Sequence, residues 1–128
     1  MDTEKRSQSS HHILLVEDHP GVLNATRLLL KTAGYRVTTA ASLTEAIDRT
    51  RESPDLDLVI TDYHLAEGTG KQVVSCVREM RGQDFRALVI TGDTASAVHR
   101  FDSDSGLCWI RKPVEPEQLL ALLRRMLA

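Results

Sequence analysis

Two neighbouring acids stand at the end of an apolar run near the start of the sequence. In "HILLVEDHPG" the apolar residues 13–16 lead directly into Glu17 and Asp18. Adjacent carboxylates repel each other and resist desolvation, so the end of a buried segment is a costly position for them. Taken alone, the pair is also typical of a solvated loop or of a helix N-cap beside Pro20. Their meaning therefore depends on what other residues lie near them.

Three more residues whose side chains can bind ligands or react follow later apolar runs. Asp62 comes directly after "LDLVIT", Thr91 ends "ALVIT" and precedes Gly92, and Lys112 follows "LCWIR". In isolation each has an ordinary interpretation, as a turn residue or as a surface lysine. Their shared position at the end of an apolar run suggests a common location.

Short apolar runs alternate with helical patterns from residue 12 onward, which predicts an α/β fold. The expected strands are 13–16, 35–40, 56–61, 87–91 and 107–111, and the expected helices are 20–34, 42–53, 70–82, 94–101 and 115–127. Ser42 and Glu45 have the spacing of a capping box. This order of elements predicts a sheet of five parallel strands with helices on both faces, and right-handed crossovers leave few topologies for it. Among them is the doubly wound, flavodoxin-like order 2-1-3-4-5, which we expect for this chain.

Ligands in such sheets bind outside the carboxyl ends of the strands. We therefore expect Glu17, Asp18, Asp62, Thr91 and Lys112 to converge on one rim. Three close carboxylates would hold a proton or recruit a cation, and hard oxygen donors suit Mg²⁺ together with a phosphate. The lysine ammonium and the threonine hydroxyl would each bind a phosphate oxygen. Asp62 is then the natural nucleophile, because a carboxylate can form an acyl phosphate.

Together, Glu17-Asp18, Asp62, Thr91 and Lys112-Pro113 resemble the site of a response-regulator receiver domain of two-component signalling. The resemblance extends over residues 12–128. Each motif is weak, but their joint spacing is a strong signal. It implies that Asp62 takes a phosphoryl group from a phosphohistidine on a histidine kinase or a histidine phosphotransfer domain. It further implies that Thr91 and Lys112 bind that group.

The resemblance also implies the remaining roles at the site. Asp18, Asp62 and the backbone carbonyl of His64 would bind Mg²⁺ directly, and Glu17 would act through water. His64 and Asp93 would tune the rate at which water removes the phosphate, although a merely exposed position is as good an interpretation.

The same resemblance implies a switch. Trp109 would occupy the family's aromatic switch position and act together with Thr91 in the switch. Ordinary packing is an equally good interpretation of this tryptophan. The output surface would comprise the fourth helix (94–101), the fifth strand (107–111) and the fifth helix (115–127), and a homodimer would form through it.

Three positions depart from the family pattern. The family often has Met-Pro or Leu-Pro after the phosphoacceptor, where this chain has Leu65-Ala66. Gly92 stands where alanine is usual, which preserves room near the phosphate and loosens the loop. Trp109 is bulkier than the usual Tyr or Phe. Gly70, in contrast, matches a glycine that is usual in the loop after the phosphoacceptor.

Composition excludes several classes of protein. The chain has 128 residues, 41% hydrophobic and 27% charged, with a net charge of −2 and no strongly basic stretch. This is typical of one globular domain without direct nucleic-acid binding. The apolar runs are too short for a membrane span. Cys76 and Cys108 form no disulfide or metal pattern, so we expect both to be buried in a cytoplasmic protein.

Residues 1–11 are expected to be a disordered leader or linker, and 12–128 a receiver that stands alone or belongs to a larger protein such as a hybrid histidine kinase. As an isolated domain it would catalyse only its own phosphorylation and dephosphorylation.

Three functions are alternatives to a phosphorylated receiver: a receiver-like interaction scaffold that is never phosphorylated, a flavodoxin-like FMN carrier and an aspartate-dependent phosphatase. "EDHPG" lacks the FMN phosphate loop, and the chain lacks the Asp-x-Asp motif and cap domain of such phosphatases.

Overall fold

Strands alternate with helices along the chain. The computed structural model describes residues 11–92, 101–102 and 106–128. The elements are β1 (His12–Val16), α1 (Pro20–Thr32), β2 (Arg36–Ala40), α2 (Leu43–Glu52), β3 (Leu58–Asp62), α3 (Gly70–Arg81), β4 (Arg86–Thr91), β5 (Phe101–Asp102), β6 (Leu107–Arg111) and α4 (Pro116–Met126).

One sheet contains all of these strands, in the order β2-β1-β3-β4-β6-β5. The five longer strands are parallel, and β6 takes the fifth place, so the predicted 2-1-3-4-5 order is confirmed. The two-residue β5 adds an antiparallel edge, with Phe101 opposite Cys108. The sequence pattern predicts a helix end at Phe101 and a loop at Asp102, and both predictions are wrong. The free edge of β6 pairs with this segment, and so short a segment carries no periodicity of its own.

Two predicted segments fall mostly outside the described residues. The helix expected over 94–101 lies outside them up to residue 100. Residues 1–10 of the expected leader also lie outside them. His11 is described, and its carbonyl accepts a hydrogen bond from the Arg36 N–H at 3.0 Å, so this residue belongs to the folded part of the chain.

The core has two layers because successive strand residues point to opposite faces of the sheet. Ile13 and Leu15 of β1 lie in the layer beneath α1 and α4, whereas Leu14 and Val16 lie in the layer beneath α2 and α3. Burial on both faces explains why the strand is a continuous apolar run. Cys108 is buried as expected. Cys76 is only half-buried, so the prediction that both cysteines are buried is wrong for this residue.

Two helix starts differ from the sequence expectation. The Ser42 hydroxyl accepts the Glu45 N–H at 3.1 Å, but the Glu45 carboxylate accepts from Ala41, one residue before the N-cap. Only half of the predicted capping box is therefore present. A complete box begins α3, where the Thr69 hydroxyl accepts the Gln72 backbone N–H and the side-chain Oε1 of Gln72 accepts the Thr69 N–H. Its T-x-x-Q spacing was a readable signal.

A buried histidine lies at the opposite end of the sheet from the acids. The ring nitrogens of His12 lie 3.1 Å from an Asp55 oxygen and 2.6 Å from the Thr38 hydroxyl. The Arg36 guanidinium, aided by His12, lowers the pKa of the Asp55 carboxyl to about 2. These contacts join β1, β2 and the loop before β3, so His12 is a satisfied structural residue.

In the described part of the chain, no helix has the length and apolar character that crossing a bilayer requires.

Gly70 allows α3 to begin directly against the end of β3. A Cβ atom at this position would lie 2.7 Å from the Asp62 carbonyl oxygen and 2.9 Å from the Tyr63 Cα. Both neighbours are backbone atoms and cannot rotate away. The Gly70 N–H also donates to the Tyr63 carbonyl at 2.7 Å. The helix and the segment after β3 are therefore packed backbone to backbone.

We expect Gly70→Ala to lower the free energy of unfolding by about 1–3 kcal/mol, the usual cost of overpacking a filled site. Urea unfolding followed by circular dichroism measures it. Gly92→Ala is the matched control, because its new Cβ would lie 3.9 Å from the nearest atom, the Lys112 Cδ. A Gly70→Ala protein as stable as this control would contradict the close packing.

Candidate functional site

The ends of four neighbouring strands position the candidate residues. Val16 of β1 pairs with Thr61 of β3, so the residues that follow them, Glu17 and Asp62, lie side by side at the carboxyl end of the sheet. Asp62 in turn pairs with Ile90 of β4, next to Thr91. The parallel register thus gathers residues that are remote in sequence at the carboxyl rim of the sheet.

The structure brings the three acids together. One carboxylate oxygen from each of Glu17, Asp18 and Asp62 lies within 4.8 Å of the others. Glu17 is 8% exposed and Asp62 is 7% exposed, while Asp18 is half-buried. Water therefore screens their mutual repulsion only weakly. Nearby donors and cations must compensate for this repulsion.

Lys112 provides the cation. Its Nζ atom lies 2.9 Å from Oδ1 of Asp62, and its side chain remains 46% exposed. The cis Lys112–Pro113 peptide bond follows directly. One ammonium opposes three carboxylates, so the cluster keeps a strong attraction for a further cation.

The environment of Glu17 raises the pKa of its carboxyl above the ordinary value of 4.5, chiefly through burial. The charge of Asp62 raises the pKa further. The His19 N–H, which donates to Glu17 Oε2 at 3.0 Å, and the Lys112 ammonium act in the opposite direction. An ionised Glu17 therefore costs folding free energy until a cation neutralises the cluster.

Thr91 ends β4, the strand between β3 and β6 in the sheet, and Gly92 follows it. Thr91 is 1% exposed, and its carbonyl accepts the Lys112 N–H at 2.9 Å. This hydrogen bond continues the β4–β6 ladder past Arg111 and fixes where the lysine leaves the sheet. The nearest atom to a Cβ on Gly92 would be 3.9 Å away, so this position leaves room beside the lysine, as the sequence indicates.

The loop after β3 (residues 63–69) is bound to the acidic cluster by a contact that sequence reasoning missed. The Ala66 N–H donates to Oδ2 of Asp18, with 2.6 Å between the two heavy atoms. In the same loop, the Glu67 carboxylate accepts the Thr44 N–H at 3.3 Å, and His64 forms an isolated bridge with Thr69. The side chain of His64 is exposed. The only sequence signal for the first contact was the departure at Leu65-Ala66.

Trp109 packs against the residue that follows Asp62. The ring centroids of Trp109 and Tyr63 are 5.7 Å apart, with the ring planes tilted by 41°. Both residues are half-buried at the border of the layer beneath α2 and α3. The sequence predicted no contact for Tyr63. Asp93, the second residue expected to tune hydrolysis, lies outside the described residues.

An apolar cavity of about 530 Å³ opens beside the cluster, between α1 and α4. Its walls include Val22, Ala25 and Leu29 of α1 and Leu119 of α4. Glu17, Asp62 and Lys112 form its polar end. Val22 is 46% exposed, so α1 presents an apolar surface next to the acids.

The donor set fits Mg²⁺. Three carboxylates supply hard oxygen ligands, and the half-exposed side leaves positions for water or a phosphate oxygen. Thiolate or imidazole ligands, which softer metals prefer, are absent from this cluster among the described residues. The arrangement favours phosphoryl chemistry, because the ammonium and a hard cation would together attract an anion that the acids alone repel.

The chain is similar in sequence to one family of proteins. The family model described as "Response regulator receiver domain" matches residues 13–124. The two-component response regulator PprB of Pseudomonas aeruginosa is 29% identical over 126 residues, which is 96% of this chain and 46% of PprB. The rice (Oryza sativa subsp. japonica) two-component response regulator ORR5 is 25% identical over 118 residues, covering 91% of this chain and 88% of ORR5.

A solved structure agrees with these relatives. The chemotaxis protein CheY4 of Vibrio cholerae superposes with a TM-score of 0.79 at 28% identity, covering 91% of this chain and 98% of that one. The similarity thus extends over the whole sheet and its rim. The chain spans about half the length of PprB.

The raised pKa of Glu17 predicts a pH-dependent gain of stability from Glu17→Gln. The gain should be on the order of 1 kcal/mol at pH 7, or about 4 °C in Tm for a domain of this size. A carboxyl whose pKa folding raises destabilises the fold increasingly as pH rises from 4.5 through the raised pKa. The gain should therefore shrink toward pH 4 in thermal unfolding scans recorded without divalent ions.

Glu67→Gln is the matched control, because Glu67 also accepts one backbone N–H but is exposed. It should not raise Tm at either pH. An equal gain from both substitutions, or a gain at residue 17 that does not change with pH, would contradict the electrostatic account.

Proposed function

This chain belongs to the response-regulator receiver domain family, and from that premise we propose that Asp62 is the phosphoacceptor of a two-component phosphorelay. The observation that carries the proposal is the grouping of three carboxylate oxygens within 4.8 Å beside an ammonium 2.9 Å from Asp62. A structural ion pair needs one acid, whereas phosphoryl transfer to a carboxylate needs a nucleophile, a metal seat and a phosphate ligand.

The proposed metal is Mg²⁺. Asp18, Asp62 and the backbone carbonyl of His64 would bind it directly, and Glu17 would bind it through water. When bound, the ion neutralises charge on the acids and on the transferred group. The raised pKa of Glu17 supports this assignment, because burial, aided by the charge of Asp62, makes its ionised carboxylate unfavourable until a cation binds nearby.

The chain's own residues carry the transfer. A carboxylate oxygen of Asp62 forms a bond to phosphorus as the P–N bond of a phosphohistidine breaks, and the released imidazole of the donor takes a proton. Lys112 exchanges its contact with Asp62 for one with a phosphoryl oxygen, and the Thr91 hydroxyl binds another. Water later cleaves the acyl phosphate and regenerates the carboxylate, with His64 and Asp93 as proposed tuning positions.

The proposed donor is a histidine kinase or a histidine phosphotransfer domain. The apolar cavity and the exposed Val22 beside the acids support approach of a protein surface from the side of α1 and α4. An apolar patch adjoining a polar site is typical of a protein interface. The kinase, the output and the other parts of a longer parent protein are further proposals, and so are the cytoplasmic location and the lack of nucleic-acid binding.

The proposed output is a change at β6 and α4 together with the segment 94–101. A phosphoryl group adds negative charge beside Thr91 and attracts Lys112, which lies four residues before the start of α4 at Pro116. The half-buried Trp109 on β6 is the proposed aromatic switch. Its contact with Tyr63 supports this role, because it joins the residue after Asp62 to the proposed output strand. Homodimerisation through this surface also remains a proposal.

Labelling with acetyl phosphate tests the phosphoacceptor. The wild-type protein with Mg²⁺ should gain one phosphoryl group by intact mass, and EDTA should abolish the gain. Asp62→Asn should abolish it as well, because an amide does not form an acyl phosphate. Asp48→Asn, at an exposed acid on α2, is the matched control and should label like the wild type.

Full labelling of Asp62→Asn would move the nucleophile to another residue. A wild-type protein that binds Mg²⁺ but never labels, with acetyl phosphate or with a phosphorylated kinase, would favour the alternative of a receiver-like scaffold.

Trp109 fluorescence tests the switch. Beryllofluoride with Mg²⁺ mimics an acyl phosphate, and it should quench or shift the emission because Trp109 contacts the residue next to Asp62. Trp109 is the sole tryptophan of the chain, so the signal has one source. The response should vanish in Asp62→Asn. Unchanged emission when calorimetry detects bound beryllofluoride would rule out Trp109 as the switch.

A further inference from the structure

Ala66 occupies a position where receivers often have proline, and this difference supplies a hydrogen bond. Proline has no N–H to donate. In this chain the Ala66 N–H reaches Oδ2 of Asp18 at 2.6 Å, a short distance of the kind formed with a charged acceptor. The contact joins residues that are 48 positions apart. The departure from the family pattern therefore creates a connection between the loop after β3 and the acidic cluster.

We propose that the Ala66 N–H is a positioning group that orients the Asp18 carboxylate for Mg²⁺ and holds the loop after β3 against the metal seat. This inference rests on the Mg²⁺ site proposed above. A carboxylate has two oxygens, so one can accept the N–H while the other remains available to a cation. Carboxylates that bind metals are commonly held in this way by a second hydrogen bond.

The hydrogen bond from Ala66 to Asp18 joins the loop to the acidic cluster, whereas other contacts of the loop lead to the neighbouring helices. Glu67 attaches the loop to the start of α2, and the Thr69 capping box attaches it to α3. His64, whose carbonyl is a proposed ligand, lies two residues before Ala66. The Ala66 N–H thus orients one proposed ligand directly and restrains the backbone that carries another.

The side chain of Ala66 is exposed, so the contribution of this residue comes from its backbone. Substitutions that keep the N–H should therefore be silent, and only loss of the N–H should matter. This separates the proposal from a packing role. A hydrogen bond that only held the loop closed would behave differently, because its loss would lower the free energy of unfolding without weakening Mg²⁺ binding.

Calorimetric titration with Mg²⁺ tests the proposal in Ala66→Pro and in the matched control Ala66→Ser. We expect the proline variant to bind Mg²⁺ about 10-fold more weakly, the lower end of the loss seen when a group that supports a metal ligand is removed. The serine variant should bind like the wild type. In metal-free protein, NMR hydrogen exchange should show a protected Ala66 amide that loses its protection in Asp18→Ala.

A second variant removes the N–H alone, because proline also restricts the backbone of Leu65. A backbone ester at residue 66 replaces the N–H by an oxygen, and Cys76 provides a ligation site for its assembly. The ester should lose the same affinity as the proline variant.

Each outcome separates the two proposals. Equal Mg²⁺ affinity in the wild-type and ester proteins would overturn the role of Ala66 and leave the metal site intact. Tighter binding by the ester would overturn it as well, since the N–H would then compete with the ion. A wild-type protein that binds no Mg²⁺ would overturn the proposed function itself.

Discussion

Repulsion among three carboxylates at one rim of the sheet is the constraint on which the site depends. Glu17, Asp18 and Asp62 are held closer than isolated acids would settle, and two of them are nearly excluded from water. Among the described residues, Lys112 places one ammonium at Asp62, and Glu17 and Asp18 each accept a backbone N–H, which compensates the repulsion in part. The remaining negative charge is what gives the rim an attraction for a cation. A site that is locally unfavourable in this way persists because the surrounding structure fixes it.

The apolar strands beneath the acids provide that support. Every residue of β1 and β3 is buried, so the two strands that end in the carboxylates cannot shift without disrupting both core layers. α3 adds a second restraint, because Gly70 places its first turn against the backbone of Asp62 and the Thr69 capping box fixes that start. The acids are therefore positioned by packing, and their own interactions determine little of the geometry.

The side of the cluster that faces Lys112 and α1 is less tightly packed. The Lys112 side chain is almost half exposed. The helix α1, which lines the open cavity, has one buried residue, Leu30. Tyr63 and Trp109 contact each other at the border of the core instead of within it. A rigid acidic rim next to groups with room to move is a suitable arrangement for a site that must respond to a change of charge.

Local periodicity was enough to predict the alternation of strands and helices and the residues at the strand ends. Connection rules left few topologies, and the observed order of the parallel strands was the one expected among them. Tertiary structure decided the remaining features: the antiparallel β5, the reach of Glu45 past its N-cap, the partial exposure of Cys76, the Tyr63–Trp109 contact and the hydrogen bond from Ala66 to Asp18. Each depends on groups that approach through space, with a separation and orientation that no local pattern of residue types encodes. The composition of the rim was therefore readable in advance, whereas the hydrogen bond that orients one of its acids became visible only in the folded chain.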